Sequence, residues 1–204
     1  MSQGYGAVLL MTLLVQVFWF FGIHGSNVLA PILDGIWLTA QLANVNAYQA
    51  GKALPYVWTR NCFDLYAWIG GAGSTLLLLV AILVFSKRDD QRSVAKLAIG
   101  PGFFNINEPV MFGMPIVLDP IYFIPFVLAP VVTVSIAYAA LSAGWVAPIT
   151  NNIVWSMPPI MNALVATMDW RSVVLQLFNA AVAFAIYVPF VKAANKIKPA
   201  AIGE

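Results

Sequence analysis

The chain has 204 residues, 61% of them hydrophobic and only 9% charged, with a net charge of +2. Soluble domains carry about 25% charged residues, so this chain has too little polar surface for a water-soluble body and is expected to be an integral membrane protein. The small net charge, with no basic stretch interleaved with aromatics, excludes a nucleic-acid partner, and one cysteine and one histidine exclude an internal disulfide, a thiolate metal cluster or a zinc site built on those ligands.

Residues 5–23, YGAVLLMTLLVQVFWFFGI, read as a first span, just long enough for a ~30 Å hydrocarbon core. The preceding residues have no basic region and the run has no small-residue cleavage signature, so it is not read as a signal peptide. Its aromatic end, Phe18, Trp19, Phe20 and Phe21, suits an interfacial belt. His24 then stands between Gly22 and Gly25, ahead of Ser26 and Asn27. This polar run, bounded by apolar sequence and Pro31, suits a re-entrant turn in which glycine permits close backbone approach. Residues 31–59 mix apolar positions with Asp34, Gln41, Asn44, Asn46, Gln49 and Lys52, which predicts a hairpin or surface-lying segment that does not cross. Lys52, Arg60 and Asp64 read as interfacial charges with structural roles, and Cys62 as an unreactive thiol. Residues 63–86 read as a second span, whose small residues at 70–74 (GGAGS) suit close helix contact. That cluster lacks the strand before it and the lysine after it that a phosphate cradle needs, and no cofactor is expected. Lys87, Arg88, Asp89, Asp90, Arg92 and Lys96 predict a solvated cytoplasmic loop.

Residues 103–130, FFNINEPVMFGMPIVLDPIYFIPFVLAP, organise the rest. They are almost wholly apolar, yet carry Glu108, Asp119 and Pro109, Pro115, Pro120, Pro125 and Pro130. A carboxylate at mid-bilayer costs roughly 2.5–3.5 kcal/mol on insertion scales, which marks it as a functional residue. Proline removes a backbone donor and breaks a helix, and broken backbone at membrane depth is tolerated only where protein shields it or it lines a wet cavity. Asn107-Glu108-Pro109 therefore reads as broken backbone whose polar groups converge on a cavity. Residues 97–118 predict a re-entrant hairpin, with Asp119 near an interface or capping the next helix. Residues 121–143 form a clean span kinked at Pro125 and Pro130. Residues 144–168, with Pro148, Thr150, Asn151, Asn152, Trp155, Pro158 and Pro159, are again too broken for a plain helix. A tryptophan beside amides can stack on a sugar face while the amides bind hydroxyls. Asp169, Trp170 and Arg171 open a last span at 172–191, and Lys192, Lys196 and Lys198 place its end in the cytoplasm. If 31–59 does not cross, the count of crossings puts the N-terminus there as well.

The stretch from Phe103 through Asn105, Asn107, Glu108, Pro109, Gly113 and Pro115 to Pro130 resembles the signature of enzyme IIC, the membrane permease subunit of the sugar phosphotransferase system, in its lactose, cellobiose and diacetylchitobiose family. WFFGIHGSN at 19–27 and NNIVW at 151–155 are similar to that family too. The resemblance implies an all-α membrane protein, with transmembrane helices, re-entrant hairpins and broken helices around a buried sugar site. It implies a multi-pass permease of the bacterial inner membrane that binds a β-linked disaccharide and presents its 6-hydroxyl to a phosphocysteine on the separate B subunit. The A subunit and general phosphocarriers act upstream, and the full-length protein is a homodimer. Glu108 matches the glutamate that holds and deprotonates the hydroxyl, His24 the neighbouring sugar-binding histidine, and Asn107, Trp19, Trp155 and Asn152 further sugar contacts. Family members are about twice as long, so the resemblance implies that residues 1–204 are the C-terminal, substrate-binding half, without the N-terminal dimerisation half. Two other readings are an ion-coupled secondary transporter using Glu108 and Asp119, and a non-transporting membrane fragment.

Overall fold

The computed structural model describes residues 4–114 and 116–196. Every regular element among them is helical, and three helices are long and apolar enough to cross a membrane: Arg60–Phe85, Pro120–Ser142 and Trp170–Ala194. The chain is thus an all-helical membrane protein. Lys198, expected to mark the cytoplasmic end, lies outside the described residues.

In chain order the helices are α1 (Tyr5–Phe20), α2 (Gly25–Val28), α3 (Ala30–Leu33), α4 (Thr39–Gln49), α5 (Arg60–Cys62), α6 (Thr75–Phe85), α7 (Asp89–Phe103), α8 (Glu108–Gly113), α9 (Pro120–Ser142), α10 (Met161–Thr167) and α11 (Trp170–Ala194). A π turn, Asp34–Leu38, joins α3 to α4, and a second, Phe63–Ala67, follows α5. The long helices start where the sequence supplies a cap. Asp119 accepts from Ile121 N–H (2.8 Å) and Tyr122 N–H (3.4 Å) to open α9, as expected, and Asp169 accepts from Arg171 N–H (3.0 Å) to open α11. α9 and α11 pack together at the centre, with α6 on α11, α1 on α9 and α7 on α6.

Contacts fix the directions. Tyr5 Oη lies 2.8 Å from Ser135 Oγ and the Phe20 ring 4.1 Å from Phe123, so α1 runs antiparallel to α9. Asn179 Nδ2 donates to Thr133 O (3.0 Å) and Ala147 N–H to Asp169 Oδ2 (3.1 Å), so α11 begins where α9 ends. Tyr5 and Lys192 therefore lie at opposite ends of the bundle. The expectation that both termini share a side assumed that residues 31–59 do not cross, and the termini themselves lie outside the described residues. Residues 30–49 instead form one helical arm that returns the chain toward the end where α1 began: Gln41 Nε2 donates to Asn152 Oδ1 (2.5 Å) and Asn44 Nδ2 to Ile149 O (3.3 Å). Gln41 and Asn44 are fully buried. Part of the mixed polarity of this arm is therefore two amides that meet protein partners, while Asp34, Asn46 and Gln49 remain exposed.

Three further expectations are revised. The first span stops at Phe20 because the chain turns at Gly22 (φ 76°); its 16 residues reach about 24 Å. The charge run is not a free loop from 87 to 96. Asp89 and Asp90 form the first turn of α7, where carboxylates complement the helix dipole, and the Arg88 guanidinium holds the Asp90 carboxyl below the usual carboxylate range. Arg92 Nη1 donates back to Leu83 O (2.8 Å) and Ser86 O (3.2 Å) at the end of α6. Third, the small residues at 70–74 do not serve a continuous helix. Gly70, Gly71, Gly73 and Ser74 all have positive φ, and Arg60–Phe85 breaks in its middle. The predicted hairpin over 97–118 is present as α7, a tight turn and α8, and it packs into that break.

The break leaves carbonyls that hydrocarbon cannot satisfy, and side chains satisfy them. Gln176 Nε2 donates to Leu65 O (2.8 Å), Ser74 Oγ to Ala67 O (2.9 Å), Thr75 Oγ1 to Gly70 O (2.8 Å) and Tyr187 Oη to Gly73 O (2.5 Å). Gly71 (φ 98°, ψ 177°) occupies a region essentially confined to glycine. A Cβ there would stand 2.6 Å from Asn107 Cβ. Gly71→Ala is expected to destabilise the fold by at least about 1–3 kcal/mol from backbone strain alone, read as a lower thermal-unfolding midpoint in detergent. Gly100→Ala, whose Cβ meets nothing within 4 Å, is expected to stay within about 0.5 kcal/mol of the parent.

Candidate functional site

The helix break and the α7–α8 turn face each other, and a third irregular segment, 143–160, closes on both. One side chain ties all three. Asn105 Oδ1 accepts from Gly70 N–H (2.9 Å), while its Nδ2 donates to Trp155 O (2.6 Å) and Met157 O (3.1 Å). Asn105 sits in the left-handed region (φ 63°), which asparagine tolerates better than most residues. Two residues on, Asn107 is 4% exposed and its Nδ2 reaches Ala72 O (3.4 Å). Asn107 precedes α8, so Glu108 and Pro109 form the first turn, where proline's missing N–H costs nothing.

His24 is placed by a different device. Gly25 lies so close to α1 that a Cβ there would be 2.3 Å from Val15 O. The imidazole caps α2: Nδ1 accepts from Asn27 N–H (3.3 Å) and lies 3.2 Å from Ser26 Oγ. With Nδ1 used as an acceptor, the neutral ring carries its proton on Nε2, which lies 3.5 Å from Glu108 Oε1. The Trp19 indole, buried on the last turn of α1, backs the imidazole at a ring separation of 4.5 Å.

These groups line one cavity of about 290 Å³, near the lower end of the ~300–1,000 Å³ usual for small-molecule sites. Of the residues singled out from sequence, Glu108, His24, Asn107, Trp19 and Trp155 lie on its wall. Glu108 and His24 keep partly open side chains, 44% and 34% exposed, so both can meet a ligand. Trp155 is half exposed at the rim, held through its backbone by Asn105. Asn152 is not on the wall; its amide oxygen accepts from Gln41, which is itself off the wall.

Sequence reasoning missed the opposite wall. Arg60 and Asp64, read as interfacial charges, line the cavity instead. Arg60 Nη1 donates to both Asp64 oxygens (3.2 and 3.1 Å), its Nε lies 3.4 Å from Asp34 Oδ1, and its guanidinium stands 5.6 Å from the centre of the Trp68 ring. Asn61 Nδ2 donates to Asp64 Oδ2 (2.9 Å), and Gln41 Nε2 donates to Asn61 Oδ1, so this wall joins the amide chain that ends at Asn152. The available signal was the i, i+4 spacing of Arg60 and Asp64 within an otherwise apolar stretch. Asn105 was also missed, although it stands within the signature stretch.

The family model described as "Phosphotransferase system, EIIC" matches residues 1–130. The chain is 46% identical over 220 residues to the PTS system cellobiose-specific EIIC component of Lactococcus lactis subsp. lactis (strain IL1403), over 97% of this chain and 44% of that protein. It is 40% identical to the PTS system oligo-beta-mannoside-specific EIIC component of Bacillus subtilis (strain 168), over 97% of this chain and 45% of that protein. Its structure matches the crystal structure of the transporter ChbC, the IIC component from the N,N'-diacetylchitobiose-specific phosphotransferase system, with a TM-score of 0.92 and 38% identity, covering 96% of this chain and 46% of that one. The chain therefore spans about half the length of the relatives it matches.

Because Asn105 joins three segments, Asn105→Asp tests whether they depend on it. The change replaces two donors with a carboxylate oxygen facing the carbonyls of Trp155 and Met157. It is expected to destabilise the protein by about 1–3 kcal/mol, seen as a lower unfolding midpoint, with faster hydrogen exchange at Gly70 and in the 151–157 loop.

Proposed function

The chain belongs to the phosphotransferase-system EIIC family, and from that premise we propose that it is the substrate-holding half of a permease that binds a neutral β-linked disaccharide in the membrane and presents its 6-hydroxyl for phosphorylation. The observation that carries the reading is the 3.5 Å approach of His24 Nε2 to Glu108 Oε1 on the wall of one sugar-sized cavity with aromatic side chains.

Glu108 accepts the hydrogen of the sugar 6-hydroxyl, and the His24 Nε2–H donates to the same oxygen or to its neighbour on the ring. Asn107 lies beside Glu108 and offers an amide to adjacent hydroxyls, while Trp19 and Trp155 supply apolar faces for the pyranose rings. The donor is a phosphocysteine on the B subunit, which receives phosphate from the A subunit and the general carriers. The oxygen–phosphorus bond forms as the sulfur–phosphorus bond breaks; the cysteine leaves as thiolate, and the hydroxyl proton passes to Glu108. Phosphoryl transfer needs mainly positioning and charge management, and these residues supply the positioning of the hydroxyl. Charge then traps the phosphorylated sugar, since it cannot recross an apolar core. The lysine-rich end of α11 faces the bacterial cytoplasm, which puts Tyr5 on the other side of the inner membrane. The full-length permease works as a homodimer, with most of the dimer contact in its N-terminal half.

Glu108→Gln and His24→Ala are each expected to weaken disaccharide binding at least about tenfold, a loss of about 1.4 kcal/mol, as measured by calorimetry in lipid nanodiscs. Unchanged affinity in both variants would reject the site. In vesicles holding the A and B subunits, the carriers and phosphoenolpyruvate, the full-length permease is expected to accumulate sugar phosphate. Unmodified sugar accumulating only under a proton gradient would favour ion-coupled transport instead.

A further inference from the structure

The charged side chains on the cavity wall are Arg60, Asp64, Glu108 and His24. Arg60 is the one fixed cation among them, and two of its three nitrogens already face carboxylates. Asp64, whose side chain is 10% exposed, takes Nη1 with both oxygens; Asp34 stands 3.4 Å from Nε; and the Trp68 ring lies 5.6 Å from the guanidinium. The two carboxylates come from two different π turns, Asp34–Leu38 and Phe63–Ala67, placed on either side of the same guanidinium. Asn61 and Gln41 hold Asp64 in that pose. Asp64 and Glu108 outnumber Arg60 on the wall, and with Asp34 counted behind it the site stays net negative even when the imidazole is protonated.

Resting on the sugar-site reading above, we propose that Asp34 and Asp64 make this an anion-excluding cavity: they cancel Arg60 so that the site accepts neutral sugars and rejects sugars bearing phosphate or carboxylate. The consequence reaches the reaction itself. Substrate enters uncharged, but a phosphate monoester carries about −1.5 to −2 charges at neutral pH. Once Glu108 has released the proton it accepted, the product meets like charge inside a protein-lined space, where salt screens charges less than at an open surface. Phosphorylation thus converts a retained ligand into an expelled one, and the same carboxylates stop cytoplasmic sugar phosphate from occupying the site. A cavity built to grip the phosphoryl group would do the reverse and turn the paired donors of its guanidinium toward it.

The test compares a neutral disaccharide with its 6-phosphate by calorimetry on the chain in nanodiscs. The unsubstituted protein is expected to prefer the neutral sugar by more than about tenfold. Asp34→Asn, which removes a charge behind the wall without touching the cavity, and Asp64→Asn, which removes one on it, are each expected to narrow that preference by about tenfold. In Asp34→Asn the neutral-sugar affinity stays within about twofold of the parent, a shift of about 0.4 kcal/mol. A parent that binds both ligands equally, or a preference that neither variant moves, overturns the exclusion and leaves the sugar site standing. A parent that binds neither ligand overturns both. Should Asp64→Asn fail to fold, Asp34→Asn alone decides.

Discussion

A backbone that breaks inside a membrane must find partners for every group it exposes, and here the Asn105 carboxamide supplies them at the point where three breaks meet. It accepts from Gly70 on the interrupted helix and donates to the carbonyls of Trp155 and Met157 on the loop. The surrounding carbonyls are met by Gln176, Ser74, Thr75 and Tyr187. These pairings serve backbone groups that no regular helix satisfies, which is why irregular chain can persist here. The cavity follows from it: where helices stop, side chains can enter from several directions.

The two walls of that cavity are built in different ways. His24 and Glu108 lie on short helical turns, each with room to meet a ligand, and their relative placement depends on a glycine pressed against α1. Arg60 and Asp64 are locked: carboxylates at its edge and an indole alongside leave the guanidinium few ways to move. One wall is available for chemistry, while the other sets the potential in which it occurs. Trp19 backs the imidazole and Trp68 the guanidinium, and such aromatic groups suit a ligand whose own polarity lies in hydroxyls and whose ring faces are apolar.

Polarity within the helices was misleading where it was read as contact with water. Gln41, Asn44, Asn61 and Gln176 are buried, and their partners are distant in sequence, from Tyr56 and Ile149 to Leu65 and Asn162. Periodicity along one segment does not contain that information. The arm at 30–49 therefore looked like a surface element and is instead a structural wall that carries the chain back through the bundle, which places the two described ends on opposite sides.

Residues alone determined the class, the long spans at 121–143 and 172–191, Asp119 and Asp169 at their heads, and the break at Glu108, while the family resemblance set His24, Asn107, Trp19 and Trp155 beside it. Low charge content, helix-breaking proline and an acid in apolar sequence are local signals, and the family motif joined the distant ones. Only the tertiary structure decided that the glycine cluster interrupts its helix, that Arg60 and Asp64 face the cavity, that Asn152 stands behind it, and that Asn105 holds the breaks together. Those outcomes depend on backbone angles and on partners up to about a hundred residues away, which no stretch of sequence read by itself can specify.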